Sequence, residues 1–94
     1  MTTITLQLGN SDDRLSQTRW HAYVEAVRVL LEHSPGIQVH FFGAPPNWAP
    51  WQNVAWVFTA PLAALPDLKT ALSEIRQDYA QDSIAWTQGE TNFI

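Results

Sequence analysis

Ile37-Gln38-Val39-His40-Phe41-Phe42 and Asn53-Val54-Ala55-Trp56-Val57-Phe58-Thr59 are two runs of β-branched and aromatic residues, and they read as consecutive strands. Gly43-Ala44-Pro45-Pro46-Asn47-Trp48-Ala49-Pro50-Trp51-Gln52 joins them, a connection too long and too rich in proline for a tight hairpin turn. No helical pattern separates the two runs, so the middle of the chain is strand followed directly by strand.

Upstream, Ile4, Leu6 and Leu8 alternate with Thr3, Thr5 and Gln7, the period of a strand with one buried face. A helix over about residues 13–33 follows, with the stripe Trp20, Tyr23/Val24, Val27, Leu30/Leu31 and a break at Ser34-Pro35-Gly36. Downstream, Leu65, Leu68, Leu72, Ile75 and Tyr79 form a second helical stripe, with Pro66 tolerated in its first turn. Ser83-Ile84-Ala85-Trp86-Thr87 is a last strand, and residues 89–94 form a tail. The order strand, helix, strand, strand, helix, strand predicts one α+β domain over residues 1–94. Its pattern is ferredoxin-like, βαββαβ, with a four-stranded antiparallel sheet in the order 4-1-3-2 and two helices on one face.

Composition narrows the function. The 94 residues carry a formal net charge of −4 and no cysteine, which excludes disulfides and thiolate chemistry. All five cations, Arg14, Arg19, Arg28, Lys69 and Arg76, fall in or beside the helices, so an acidic chain with cation-free strands predicts no nucleic-acid partner. No signal peptide or apolar span is evident, and a soluble cytoplasmic protein with no membrane partner is expected. His21, His33 and His40 have no metal-ligand spacing, and there is neither a phosphate-binding glycine loop nor a nucleophile elbow, so no metal site, cofactor or catalytic residue is assigned. Asp12, Asp13 and Asp82 would hold a hard cation only if their side chains converged.

From His33 to Pro66 the chain has no formal charge, yet holds all six prolines and six of the eleven aromatic residues. Such a stretch is expected to be buried or to meet a partner or ligand. The predicted topology gathers three segments at one end of the sheet: residues 9–14 with Gln17, residues 43–53, and residues 79–83. They carry Asp12, Asp13 and Arg14, then Asn47, Trp48, Trp51, Gln52 and Asn53, then Gln81, Asp82 and Ser83. Taken singly, the aspartates read as helix caps and turn residues, and the two tryptophans as a lid or a stacking platform. Together they make a candidate ligand site. Trp48 and Trp51 would stack on a planar, nucleotide-like ligand, Gln52, Asn53 and Ser83 would read its edge, and Arg14 would meet a negative group.

The opposite face of the sheet is the second expectation. With Ile37, Val39 and Phe41 toward the helices, His40, Phe42, Trp56 and Phe58 would line the open face. An exposed aromatic patch of that size is most simply covered in a face-to-face homodimer. A one-residue slip in the phase of strand three would instead make Trp56 and Phe58 core. Two other functions stay open: a dimeric α+β barrel enzyme with His40 as acid or base, and a module that holds another protein on the aromatic face.

Three segments, Gly9-Asn10-Ser11-Asp12-Asp13-Arg14-Leu15-Ser16-Gln17 with Trp20, Pro50-Trp51-Gln52-Asn53 with Trp56, and Tyr79-Ala80-Gln81-Asp82-Ser83-Ile84-Ala85-Trp86, resemble a group of small uncharacterised proteins of bacteria and their phages. The resemblance spans most of the chain and marks the same three segments. It implies no assigned activity, and leaves room for a phage-type protein that sequesters a nucleotide signal.

Overall fold

The structure, a computed structural model, describes residues 2–46 and 48–94, so Asn47 lies outside the described residues. Strands β1 (Thr2–Gly9), β2 (Gln38–Gly43), β3 (Asn53–Ala60) and β4 (Ala85–Gly89) and helices α1 (Gln17–His33) and α2 (Leu65–Asp78) follow one another as β1-α1-β2-β3-α2-β4. The strands form one antiparallel sheet in the order β2-β3-β1-β4. This is the ferredoxin-like α+β fold, with both helices packed on one face. Among the described residues no helix is long and apolar enough to cross a membrane.

The register of β1 against β3 decides which side chains are buried. Ile4 lies opposite Phe58, Leu6 opposite Trp56 and Leu8 opposite Val54. Directly opposed residues of an antiparallel pair share a face. Because Ile4, Leu6 and Leu8 face the helices, Val54, Trp56, Phe58 and Ala60 do so too, and all are buried against Tyr23, Val27 and Leu31 of α1 and Leu65, Leu68 and Leu72 of α2. This corrects the expectation that Trp56 and Phe58 line the open face: both are core. The reversed phase has a clear energetic reason, since the two largest rings of β3 remove far more apolar area from water than Ala55 and Val57 would.

Strand β2 contains a second departure. Its register against β3 shifts between Val39 and Phe41, a bulge centred on His40. Val39 lies opposite Phe58 and Phe42 opposite Trp56, the Phe42 and Trp56 ring centroids 5.0 Å apart, so Phe42 sits on the helix side and not on the open face. It remains half-exposed at the sheet edge. Phe41 turns to the open face instead, opposite Val57, and folds over Gly43, where an added Cβ would stand 2.5 Å from the Phe41 ring. Of the four aromatic positions expected there, only His40 faces outward, with Nε2 3.1 Å from Thr59 Oγ1. The open face is therefore not an aromatic patch: it carries Thr3, Thr5, Gln7, Ala55, Val57 and Thr59 at its centre.

Helix α1 starts at Gln17, later than expected. Asp12 and Asp13 take positive φ values of 52° and 56°, a left-handed conformation that Asp tolerates better than most residues and that cannot continue a helix. Ser16 is the actual cap, its hydroxyl accepting from the Arg19 amide at 3.2 Å.

Candidate functional site at the end of the sheet

The left-handed turn at Asp12 and Asp13 bends the chain leaving β1 back over the sheet end, where it meets both other segments. Asn10 is the joint. It is buried, its Nδ2 donates to the Leu15 carbonyl at 3.0 Å and to Gln52 Oε1 at 2.9 Å, and its Oδ1 accepts from the Leu15 amide at 2.9 Å. Gln52 extends the chain of contacts, its Nε2 donating to Gln17 Oε1 at 2.8 Å. The 79–83 segment is tied in by Gln81, also buried, whose Oε1 accepts from the Ser11 amide at 2.7 Å while its Nε2 donates to the Tyr79 carbonyl.

Arg14 closes the arrangement from outside. Its Nη1 donates to Asp82 Oδ1 at 2.9 Å and to the Ala80 carbonyl at 2.8 Å, and its Nη2 lies 3.3 Å from Asp12 Oδ2. The Asp82 carboxylate, by hydrogen bond first and charge second, holds the guanidinium above its ordinary range. Arg14, Asp12 and Asp82 thus spend their charges on one another, and Asn10 and Gln81 spend their amides on backbone and neighbours. Among the described residues no group of three metal-ligating side chains stands close enough to hold an ion.

What is left unspent is aromatic and flat. Trp51 is 72% exposed and Trp48 83% exposed. Trp51 lines two clefts. One, of about 460 Å³, is bounded by Gln7, Asn10, Ser11, Gln52, Asn53 and Ser83. The other, of about 420 Å³, lies between the start of α1 and the proline loop and is bounded by Asp13, Gln17, Trp20, Pro46, Gln52 and Asn53. Of the residues singled out from the sequence, Asp13, Gln17, Trp51, Gln52, Asn53 and Ser83 border these clefts; Asp12, Arg14 and Asp82 form the ion-pair clasp beside them, Gln81 lies beneath it, and Trp48, expected to stack beside Trp51, borders neither cleft.

A larger cavity, about 570 Å³, opens on the outer face of the sheet. Thr3, His40, Val57 and Thr59 form its floor, and Glu90, Thr91 and Phe93 of the tail its side. The tail is tethered there by a hydrogen bond between the Thr3 and Thr91 hydroxyls. Phe93 nevertheless remains almost wholly exposed.

The sequence reading passed over two features. Tyr23 is fully buried with its hydroxyl unpartnered, and burial pushes its phenol up to about 12, the charge of Arg76 offsetting only part of the rise. Between α2 and β4, Lys69 and Arg76 border a groove floored by Leu72, Ile84 and Trp86. Part of the second was legible, the missing partners and not the groove: neither cation has a carboxylate three or four residues away, whereas Arg28 has Glu25 and Glu32 at those spacings and pairs with both.

No protein-family model matches the sequence, and neither does any curated protein. Solved structures do match in fold. A dimeric ferredoxin-like protein of unknown function from Thermobifida fusca is 16% identical with a TM-score of 0.64, over 97% of this chain and 92% of that one. The hydroxynitrile lyase of Passiflora edulis is 12% identical with a TM-score of 0.69, over 97% and 94%. SnoaB, a cofactor-independent oxygenase from Streptomyces nogalater, is 6% identical with a TM-score of 0.64, over 99% and 93%. At these identities the likeness is one of fold. The same fold carries a lyase and an oxygenase, so activity must be argued from the residues of this chain.

Proposed function

We propose that this chain is a non-enzymatic, homodimeric ligand-binding protein whose sheet-end clefts take a flat, uncharged or weakly charged molecule against Trp51. The observation that carries this reading is Trp51 itself, an exposed indole on the rim of two clefts whose other walls supply amide and hydroxyl groups from Gln52, Asn53 and Ser83. Stacking on an indole is tolerant of ring identity, and neighbouring amides can read a heterocycle's edge. A nucleobase meets both requirements. The phosphates of a nucleotide are less well matched, because Arg14 is already occupied by Asp82 and Asp12, and Asp13 adds negative charge. The ligand expected from the sequence is thus narrowed to its base, and a phage-type role as a sequestering protein would rest on that base.

The homodimer reading rests on the open face. Its central positions are hydroxyl-bearing, amide or aliphatic and carry no formal charge, a surface that a second copy can cover without burying an ion. The Thermobifida fusca protein of the same fold is dimeric. Light scattering is expected to give twice the chain mass; a monomer at every concentration would remove this part of the reading.

For the ligand, thermal unfolding is followed against free nucleobases and nucleosides in wild type and Trp51→Ala. Ligand at about a hundred times its dissociation constant adds roughly 2.7 kcal/mol, a rise of several degrees for a domain of this size. A rise that disappears in Trp51→Ala supports the site. A rise that persists in the variant would place the ligand elsewhere.

One observation favours a second reading. His40 and Thr59, within hydrogen-bond distance, share the outer-face cavity with Thr3 and Phe93, which is the arrangement an acid–base residue in an apolar pocket would need. Replacing His40 by alanine separates the two: only an enzyme would lose activity with the fold intact. The protein-capture function loses most of its basis, because Trp56 and Phe58, the two largest rings it required on the open face, are core.

A further inference from the structure

We propose that the groove between α2 and β4 binds a small amphipathic organic anion, its carboxylate held by Lys69 and Arg76 and its apolar body laid against Trp86, Ile84 and Leu72. The groove has a volume of about 430 Å³ and lies on the far side of α2 from the proline loop, bordered by none of the residues of the Trp51 clefts.

Three observations lead to this. The first is the accounting of cations. Of the five cations, Arg14 is paired with Asp82 and Asp12, Arg28 with Glu25 and Glu32, and Arg19 lies over the Tyr79 ring, 4.6 Å from its centre, with Nη2 directed at the Asp78 carbonyl. Among the described residues, no carboxylate lies within ion-pair distance of Lys69 or Arg76. In a chain with a net charge of −4, two unpaired cations bordering one groove are a local reversal of sign.

The second is their placement. Lys69, Ser73 and Arg76 follow one another at spacings of four and three, which puts all three on one stripe of α2. The cations therefore flank the groove with the Ser73 hydroxyl between them. Arg76 uses only Nη1, which donates to the carbonyls of Gln81 at 2.9 Å and Asp82 at 3.5 Å. That contact anchors the guanidinium at the mouth of the groove, and Nε and Nη2 have no partner among the described residues. A guanidinium held by one edge is pre-oriented to receive a carboxylate on the others.

The third is the wall. Lys69 Nζ lies 4.9 Å from the centre of the Trp86 ring. This is a cation–π contact at a partly exposed position, weak there and easily exchanged for a stronger partner. An incoming carboxylate can draw the ammonium off the ring, which frees the indole face for the ligand's apolar part. Charge at the rim and an aromatic floor together select an amphipathic anion: a neutral molecule forfeits the cations, and an inorganic ion forfeits the wall.

The test uses 1-naphthoate as probe and 1-naphthamide as its uncharged counterpart, each titrated into wild-type protein while amide NMR shifts of α2 and β4 are followed. The expected result is saturable binding of the carboxylate with shifts concentrated at residues 69–76 and 84–86. The amide should bind at least tenfold more weakly, and affinity for the carboxylate should fall as salt rises. Lys69→Gln, at an exposed position that makes no hydrogen bond, should weaken the carboxylate five- to tenfold with the fold unchanged. Arg76→Lys, which keeps the charge but loses the fork, should weaken it as well. Equal affinity for acid and amide, no response to Lys69→Gln, or shifts centred on residues 51–53 would each overturn the proposal. Absence of saturable binding at millimolar carboxylate would also overturn it.

Discussion

The sheet end, reached by the turn that follows α2, and the groove along the flank of α2 are built from the same residue types and put to opposite use. At the sheet end, Arg14 is matched to two carboxylates and a carbonyl, while Trp51 is left bare. In the α2–β4 groove, Trp86 is covered by Lys69, and the charges of Lys69 and Arg76 have no carboxylate within reach among the described residues. An arginine beside a tryptophan therefore does not by itself mark an anion site. What distinguishes the two is which group still has capacity to bind: a ring at the sheet end, a pair of cations in the groove. One region should take flat uncharged molecules and the other organic anions.

The largest expected effect sharpens this contrast through stability. Asn10→Ala removes a buried amide that satisfies both backbone groups of Leu15 and holds Gln52, leaving buried partners unpaired; a loss of about 2–3 kcal/mol is expected in denaturant unfolding. Lys69→Gln should change stability by less than about 0.5 kcal/mol. Comparable losses in both variants would break the distinction between a region assembled to hold the fold and one that is not.

Next in size is a pH effect beneath α1. The Tyr23 phenol is raised by burial from 10 to about 12 in the folded chain, so the neutral form is favoured by folding. Its contribution is complete below pH 10 and is lost as pH rises toward 12, because the unfolded chain ionises first. Stability should fall by on the order of 2 kcal/mol across that window. Tyr23→Phe should remove this part of the fall, and, by deleting an unpartnered buried hydroxyl, raise stability at neutral pH by about 1 kcal/mol. Identical alkaline profiles for the two proteins would contradict the assignment.

Arg14→Gln comes third. The clasp is exposed to solvent and salt, so its loss should cost far less than the loss from Asn10 beneath it. A larger loss would mean that the ion pairs, rather than the buried amides, hold the sheet end together. Smallest is Ala80→Gly. Ala80 ends α2 with φ at 54°, a left-handed position suited to glycine, and glycine there should add about 0.5–1 kcal/mol in thermal unfolding.

The order of elements and the sheet topology were legible because Ile4, Leu6 and Leu8 alternate cleanly and both helices carry apolar stripes three and four residues apart. The phase of β3 was not, because Val54-Ala55-Trp56-Val57-Phe58 is apolar throughout and has no period of two to read. Only its register against β1 fixes which face is buried. The bulge at His40 had no signal either, and it carries Phe42 to the helix side and Phe41 to the outer one. At the sheet end, the meeting of three distant segments followed from topology. The pairing of Arg14 with Asp82 did not, since it depends on the left-handed turn at Asp12 and Asp13. The groove was hidden for a different reason: Lys69 and Arg76 look like any solvated helix face until Trp86 is placed opposite them.

The contrast between the two regions is tested most directly by a crossed titration of a nucleoside and 1-naphthoate into wild type, Trp51→Ala and Lys69→Gln, followed by calorimetry. The account predicts that Trp51→Ala loses the nucleoside and keeps the carboxylate, and that Lys69→Gln keeps the nucleoside while binding the carboxylate five- to tenfold more weakly. Weakening of both ligands in one variant, or of neither in either, would contradict it.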